Sequence, residues 1–194
     1  MDEHDEPQPN WDRLFEIAAA QEGNFTTAQA AAAGYSPQLL AHHLGAGRII
    51  RLRRGLYRLV HFPAGDNESL VRAWLWSERA GVVSHQTALA LHGLSDILPA
   101  VVHLTLPVAW RARRLRVPQG IVLHFADLVA EERTWYGAVP ISGAARAMNE
   151  CARAGTSPDV LRDAARQALR RGIVTKAELA DVDVALAPFG GLAT

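Results

Sequence analysis

This 194-residue chain has a single cysteine and a single lysine, no long apolar run and no net charge, and each scarcity excludes something. Cys151 stands alone, so there is no intrachain disulfide framework and no cysteine-cluster zinc site, which fits a reducing compartment. Its helical, apolar surroundings predict a small buried side chain rather than a reactive thiol. No run of about eighteen apolar residues is present to span a bilayer, and the acidic start lacks the basic and apolar regions of a signal peptide. A cytoplasmic protein is expected. Twenty basic residues balance twenty acidic ones, so no global field draws the molecule to a polyanion. Nucleic-acid affinity must therefore rest on local clustering. All but one of the basic residues are arginine and alanine is abundant, a pattern of GC-rich coding that weakens any inference from arginine replacing lysine. A glycine-rich phosphate loop is also missing, because Gly45-Ala46-Gly47 lacks the following glycine and lysine and leads into a strand. No nucleotide or other cofactor is expected.

What is there begins with a charged leader, residues 1–10, which carries Pro7 and Pro9 and is expected to be disordered. Trp11, Leu14, Phe15 and Ala18 then fall on one stripe of a first helix ending near Gly23. Thr26-Thr27-Ala28-Gln29 reads as a capping box opening a second short helix to Ala33. Ser36-Pro37 opens a third, with serine as cap and proline at the first helical position, and Leu39, Leu40 and Leu44 facing inward. Arg48 to Leu59 alternates around Arg53-Arg54-Gly55 as a β-hairpin does. In that pattern Ile50, Leu52, Tyr57 and Leu59 pack down while Arg51, Arg53 and Arg58 point away. Residues 63–67 are turn-rich and form the expected boundary between domains.

Beyond the boundary, helices are expected over 68–79 and 86–91, the latter capped by Ser84, with strands over 101–106 and 121–125. Further helices are expected over 143–154 and 159–171, and a short one follows the Thr175-Lys176-Ala177-Glu178 capping box. The fold class is α+β: a winged helix-turn-helix over 11–62, a mixed α/β domain with C-terminal helices over 67–187, and a flexible tail over 188–194.

Three short helices followed by a hairpin is the order of a winged helix-turn-helix, whose third helix enters the major groove of DNA. Between Trp11 and Phe62 there are six basic residues against three acidic ones, and five of the six lie on or beside the hairpin. The expected phosphate contacts are Thr27, Arg48, Arg51, Arg53, Arg54 and Arg58, which would release counterions and make binding salt-sensitive. With the leucines committed to the core, the base-facing set is Ser36, Gln38, Ala41 and His42. Gln38 can pair bidentately with adenine. Against this stand a winged domain used only for protein contacts, its arginines a charged edge, and a third helix touching only the backbone.

The stretch from Phe25-Thr26-Thr27-Ala28-Gln29-Ala30 through Tyr35-Ser36 to Ile50-Arg51-Leu52-Arg53-Arg54-Gly55-Leu56-Tyr57-Arg58-Leu59 resembles the N-terminal domain of AbiEi-type antitoxins. Val83-Ser84-His85-Gln86-Thr87-Ala88-Leu89-Ala90-Leu91-His92-Gly93-Leu94 with Val102-His103-Leu104-Thr105-Leu106-Pro107 is similar to their second domain. The likeness covers roughly residues 11–150. It implies a bacterial autorepressor of a type IV toxin-antitoxin system, binding inverted repeats in double-stranded promoter DNA. It also implies a functional pairing with a nucleotidyltransferase-like toxin without a stable complex. A monomer and a homodimer suit such repeats equally. Family members vary at the C-terminal end, and here only a short helical segment follows Ala154.

A nuclease-like enzyme is the rival, since His85, His92, His103, His124, Asp127, Glu131 and Glu132 share the second domain. Their spacing fits no metal template, so scattered histidines, no catalytic residue and no metal are expected. Ser84-His85 does not suggest a nucleophile and base, because adjacent residues point apart. A regulator with no toxin is the third reading. Arg111, Arg113, Arg114 and Arg116 form a second basic patch, either a phosphate or partner contact or a solvated loop. Arg162, Arg166, Arg170 and Arg171 line one helix face, with the same two meanings.

Overall fold

The computed structural model describes residues 8–96 and 99–192, so the expectations for residues 1–7 of the leader and 193–194 of the tail lie outside the described residues. The chain is mixed α and β with two sheets, and it divides into two units after Arg79.

In the first unit the helices are α1 (Trp11–Ala19), α2 (Thr27–Ala32) and α3 (Pro37–Gly45), and the strands are β1 (Asn24–Thr26), β2 (Ile49–Arg53) and β3 (Leu56–Leu59). The helices start where local chemistry satisfies their free N–H groups. Asn10 accepts from Arg13 N, Thr26 and Gln29 form a reciprocal capping box, and Ser36 accepts from Leu39 N ahead of Pro37. The three strands pair antiparallel in the order β1-β3-β2. Leu14, Phe25, Tyr35, Leu40, Ile49 and Leu59 make the core under the helices. A further helix, α4 (Glu68–Trp76), belongs to this unit although the turn at 63–67 separates it in sequence. It packs against β1 and β3, and Glu68 at its start is ion-paired to Arg58 of β3.

The second unit contains β4 (Val82–Val83), α5 (His85–Leu91), β5 (Val102–Leu106), β6 (Ile121–Phe125), β7 (Arg133–Tyr136), β8 (Val139–Ser142), α6 (Ala144–Arg153), α7 (Pro158–Arg170) and α8 (Ala180–Leu186). Its sheet runs β6-β5-β4-β8-β7, with β5 parallel to β6 and β4 parallel to β8. The β7–β8 hairpin and the two-residue β4 have no counterpart in the sequence reading. The four helices close on a core of Leu89, Met148, Cys151, Leu161, Leu179 and Leu186. Ala144, Ala147, Ala164, Ala165 and Ala168 are buried among them, and such small side chains let helix backbones approach closely. The Thr175–Glu178 capping box forms, but around a single 3-10 turn that precedes α8. Among the described residues no helix is long and apolar enough to cross a membrane.

Candidate nucleic-acid interface

Leu40 and His43 of α3 are buried and Leu39 and Leu44 partly so, which turns Ser36, Gln38, Ala41 and His42 outward, all four exposed. His43 is the member of this helix that the sequence reading missed. Its ring stacks on Trp11 with centroids 5.4 Å apart, and burial, aided by the charges of Arg48 and His42, holds its pKa below the ordinary value. A neutral imidazole therefore fills a core position between α1 and α3.

The β2–β3 hairpin turns at Arg54-Gly55, where Gly55 has φ of 81° in the left-handed region that suits glycine. Its carbonyl accepts from the Thr27 amide at 3.0 Å, fastening the turn to the first residue of α2. Ile49 pairs with Leu59, Ile50 with Arg58 and Arg51 with Tyr57, and an irregularity between Arg51 and Arg53 then shifts the register. Ile49, not Ile50, consequently fills the core, and Ile50 is 45% exposed. Leu52 is half-buried and Arg51 and Arg53 are exposed as the alternation predicts, so Ile50 alone departs from the expected set on β2, the irregularity between Arg51 and Arg53 breaking the period that would place Ile50 and Leu52 on one face.

Thr27, Arg48, Arg51, Arg53 and Arg54 are exposed. Thr27, Arg53 and Arg54 line one concavity of about 420 Å³, which Arg79 also enters. Arg79 escapes the sequence reading because it follows α4, which the turn at 63–67 places with the other domain. Arg58 contradicts its expected role. It is 8% exposed on the central strand, ion-paired with Glu68, and donates to the carbonyls of Leu59, Phe62 and Pro63 at 2.8–3.2 Å. Glu68 also binds Arg72 at 2.6 Å. Every one of these partners belongs to the fold, so Arg58 is a strut and not a phosphate ligand.

In the second unit Arg111, Arg113, Arg114 and Arg116 are exposed around a 3-10 turn. Arg113 stacks over Trp110 at 3.8 Å, and Arg111 lies 5.6 Å from the centre of Phe125. On the α7 face, Arg162 is held by Asp159 and the Phe189 carbonyl, and Arg171 by the Gly93 carbonyl.

The histidines are not all scattered: His85, His103 and His124 converge, with one ring nitrogen of each within 4.8 Å of the others. Burial, with the neighbouring imidazoles, lowers His85 to about 3 and His124 to about 4, and burial also lowers His103, so the rings are neutral at neutral pH. Three of the remaining candidates are engaged elsewhere, and Glu131 is exposed. His92 faces the Ser142 carbonyl at 2.8 Å, Asp127 accepts from Val108 N, and Glu132 pairs with Arg146. Ser84 sits at the start of α5 without a side-chain cap bond, which corrects the expected capping role. Its hydroxyl instead accepts from Thr105 at 2.7 Å and lies 2.9 Å from His85 Nδ1, so these adjacent side chains do not point apart. Glu150 approaches that same nitrogen, at 3.7 Å. A nucleophile relay needs its acid on the opposite ring nitrogen, so the trio does not have relay geometry.

Residues 12–60 match the family model described as "Transcriptional regulator, AbiEi antitoxin", which supports the family read from the sequence over that stretch. No curated protein matches the chain. The crystal structure of the RV2827C protein from Mycobacterium tuberculosis aligns over 97% of this chain and 80% of that one, at 15% identity and a TM-score of 0.46.

Proposed function

We propose that this protein is a DNA-binding transcriptional repressor and the antitoxin of a type IV toxin-antitoxin system, with α1 to β3 as its winged helix-turn-helix. The observation that carries the reading is the family match over residues 12–60, which spans all but the first residue of those elements. The exposed face of α3 supports it, as do the three exposed arginines around the hairpin turn. In this reading α3 lies in the major groove, where Gln38 and His42 meet base edges, while Arg48, Arg51, Arg53 and Arg54 neutralise phosphates and set the register. Thr27 and Arg79 add contacts beside the turn. The target is promoter DNA with inverted repeats, and the toxin is a nucleotidyltransferase-like protein counteracted without a stable complex.

Titration of upstream DNA over a salt series tests the DNA half. The triple variant R51A/R53A/R54A should bind more weakly and lower the magnitude of the log–log salt slope by up to about 2.7, at roughly 0.9 for each phosphate that is no longer neutralised. An unchanged slope in a folded variant rejects the wing. Growth rescue on co-expression with a neighbouring nucleotidyltransferase-like gene tests the antitoxin half, and its absence leaves a regulator alone.

A further inference from the structure

His85 stands at the first residue of α5, His103 on β5 and His124 on β6. The parallel register pairs Thr105 with His124, which puts His103 and His124 on one face of adjacent strands, two residues apart. His103 Nδ1 and His124 Nε2 lie 2.9 Å apart and share a single proton, while the His85 ring stacks on His124 with centroids 3.5 Å apart. His85 reaches this place through a backbone φ of 53°, a left-handed conformation uncommon in side-chain-bearing residues. Its amide donates to Glu150 Oε2 at 3.3 Å, and Glu150 is itself held by Ser142 Oγ at 3.1 Å and Arg146 Nε at 2.9 Å. Ser84 Oγ lies 2.9 Å and Glu150 Oε2 3.7 Å from His85 Nδ1, so in the tautomer that carries its proton on Nδ1 these oxygens face the N–H and the lone pair is on Nε2. Metal-ligating histidines are oriented in this way, by an oxygen that holds the far N–H.

We propose that His85, His103 and His124 bind one divalent transition-metal ion, zinc above all, and leave one coordination position open. An all-imidazole donor set suits zinc and its neighbours, whereas calcium and magnesium require oxygen ligands. Three protein nitrogens are one short of a closed tetrahedral site, which leaves room for water or an anion. A cavity of about 370 Å³ adjoins His85 and His124 and is also lined by Glu150, Arg146 and Arg153, the two arginines being paired with Glu132 and Glu150 and with Asp181. Zinc–nitrogen bonds of about 2.0–2.1 Å at tetrahedral angles separate ligand atoms by about 3.3 Å. The His103–His124 pair therefore opens by a few tenths of an ångström, His85 closes by at most about 1.5 Å, and the three stacked rings, within 23° of parallel, turn about their side-chain bonds so that their in-plane lone pairs converge. Binding replaces the shared proton's bridge by a change of tautomer in one ring and releases no proton.

Cobalt(II) added to the metal-free full-length protein is the probe. One equivalent should bind per chain with visible ligand-field bands, and zinc should displace it. His103→Ala and His124→Ala should each weaken binding more than about tenfold, the scale of even outer-shell losses, while His92→Ala should not. For variants that fail to fold, the wild-type chain supplies the second measurement: zinc should protect His85, His103 and His124 from diethyl pyrocarbonate and leave exposed His61 reactive. No bound cobalt or zinc at tenfold excess, binding undiminished in a folded His103→Ala or His124→Ala chain, or no selective protection would overturn the site.

Discussion

Replacing Arg58 by methionine removes a charge from the centre of the first sheet while keeping most of the aliphatic stem that packs there. The loss can be worked out from its partners. Breaking a buried ion pair by deleting one member costs about 3–5 kcal/mol, but Glu68 retains Arg72 at 2.6 Å, which puts this case at the lower end. Three carbonyls, those of Leu59, Phe62 and Pro63, lose a donor at the same time. The Leu59 bond is buried, but those to Phe62 and Pro63 are only partly so and water replaces part of each, so a net loss of about 3 kcal/mol is expected in all. For a unit of this size each kcal/mol lowers the melting midpoint by about 4–8 °C, giving a fall of roughly 12–24 °C. Arg54→Ala, on the exposed turn, should change stability by less than about 0.5 kcal/mol and act on DNA binding instead. Calorimetric melts paired with DNA titration below the variant's melting range separate the two roles. A melt for Arg58→Met within about 1 kcal/mol of wild type, together with a salt slope reduced as in the turn variants, would refute the structural role.

Three further outcomes follow from the packing. Thr26→Ala removes the capping-box acceptor of α2 and should destabilise the first unit by about 1 kcal/mol in denaturant titration. Burial, reinforced by the nearby Glu150 carboxylate, pushes the Cys151 thiol up to about 12. At pH 8 it should therefore stay protonated and unreactive to a disulfide reagent until denaturant is added. Ala164→Leu forces extra volume into a fully buried position between helices and should cost about 1–3 kcal/mol by thermal melt.

The starts of α2 and α3 were legible in the sequence because their chemistry is local, whereas that of α5 was not. Thr26 with Gln29 and Ser36 with Pro37 cap α2 and α3 as their spacing predicts. The exposure of Gln38 and His42 follows directly from the leucine positions. What was not legible depends on pairings distant in the chain. The fate of Arg58 requires knowing that β3 is the middle strand and that α4 covers it, and β1, at three residues, is too short for any period to reveal. Irregular pairing between Arg51 and Arg53 breaks the alternation that would have put Ile50 on the same face as Leu52. The histidine cluster exists because β5 and β6 run parallel through a long connection, and sequence spacing carries no trace of that register.

The bond between the Thr27 amide and the Gly55 carbonyl has a mechanical consequence. A hairpin anchored only at its base bends under load, whereas this one is braced at its far end against the first turn of α2. Force applied at Arg53 or Arg54 passes into that helix, so turn and helix move as one lever. A ligand gripping the hairpin should then slow hydrogen exchange at the Thr27 amide through this bond, apart from any contact the Thr27 side chain makes.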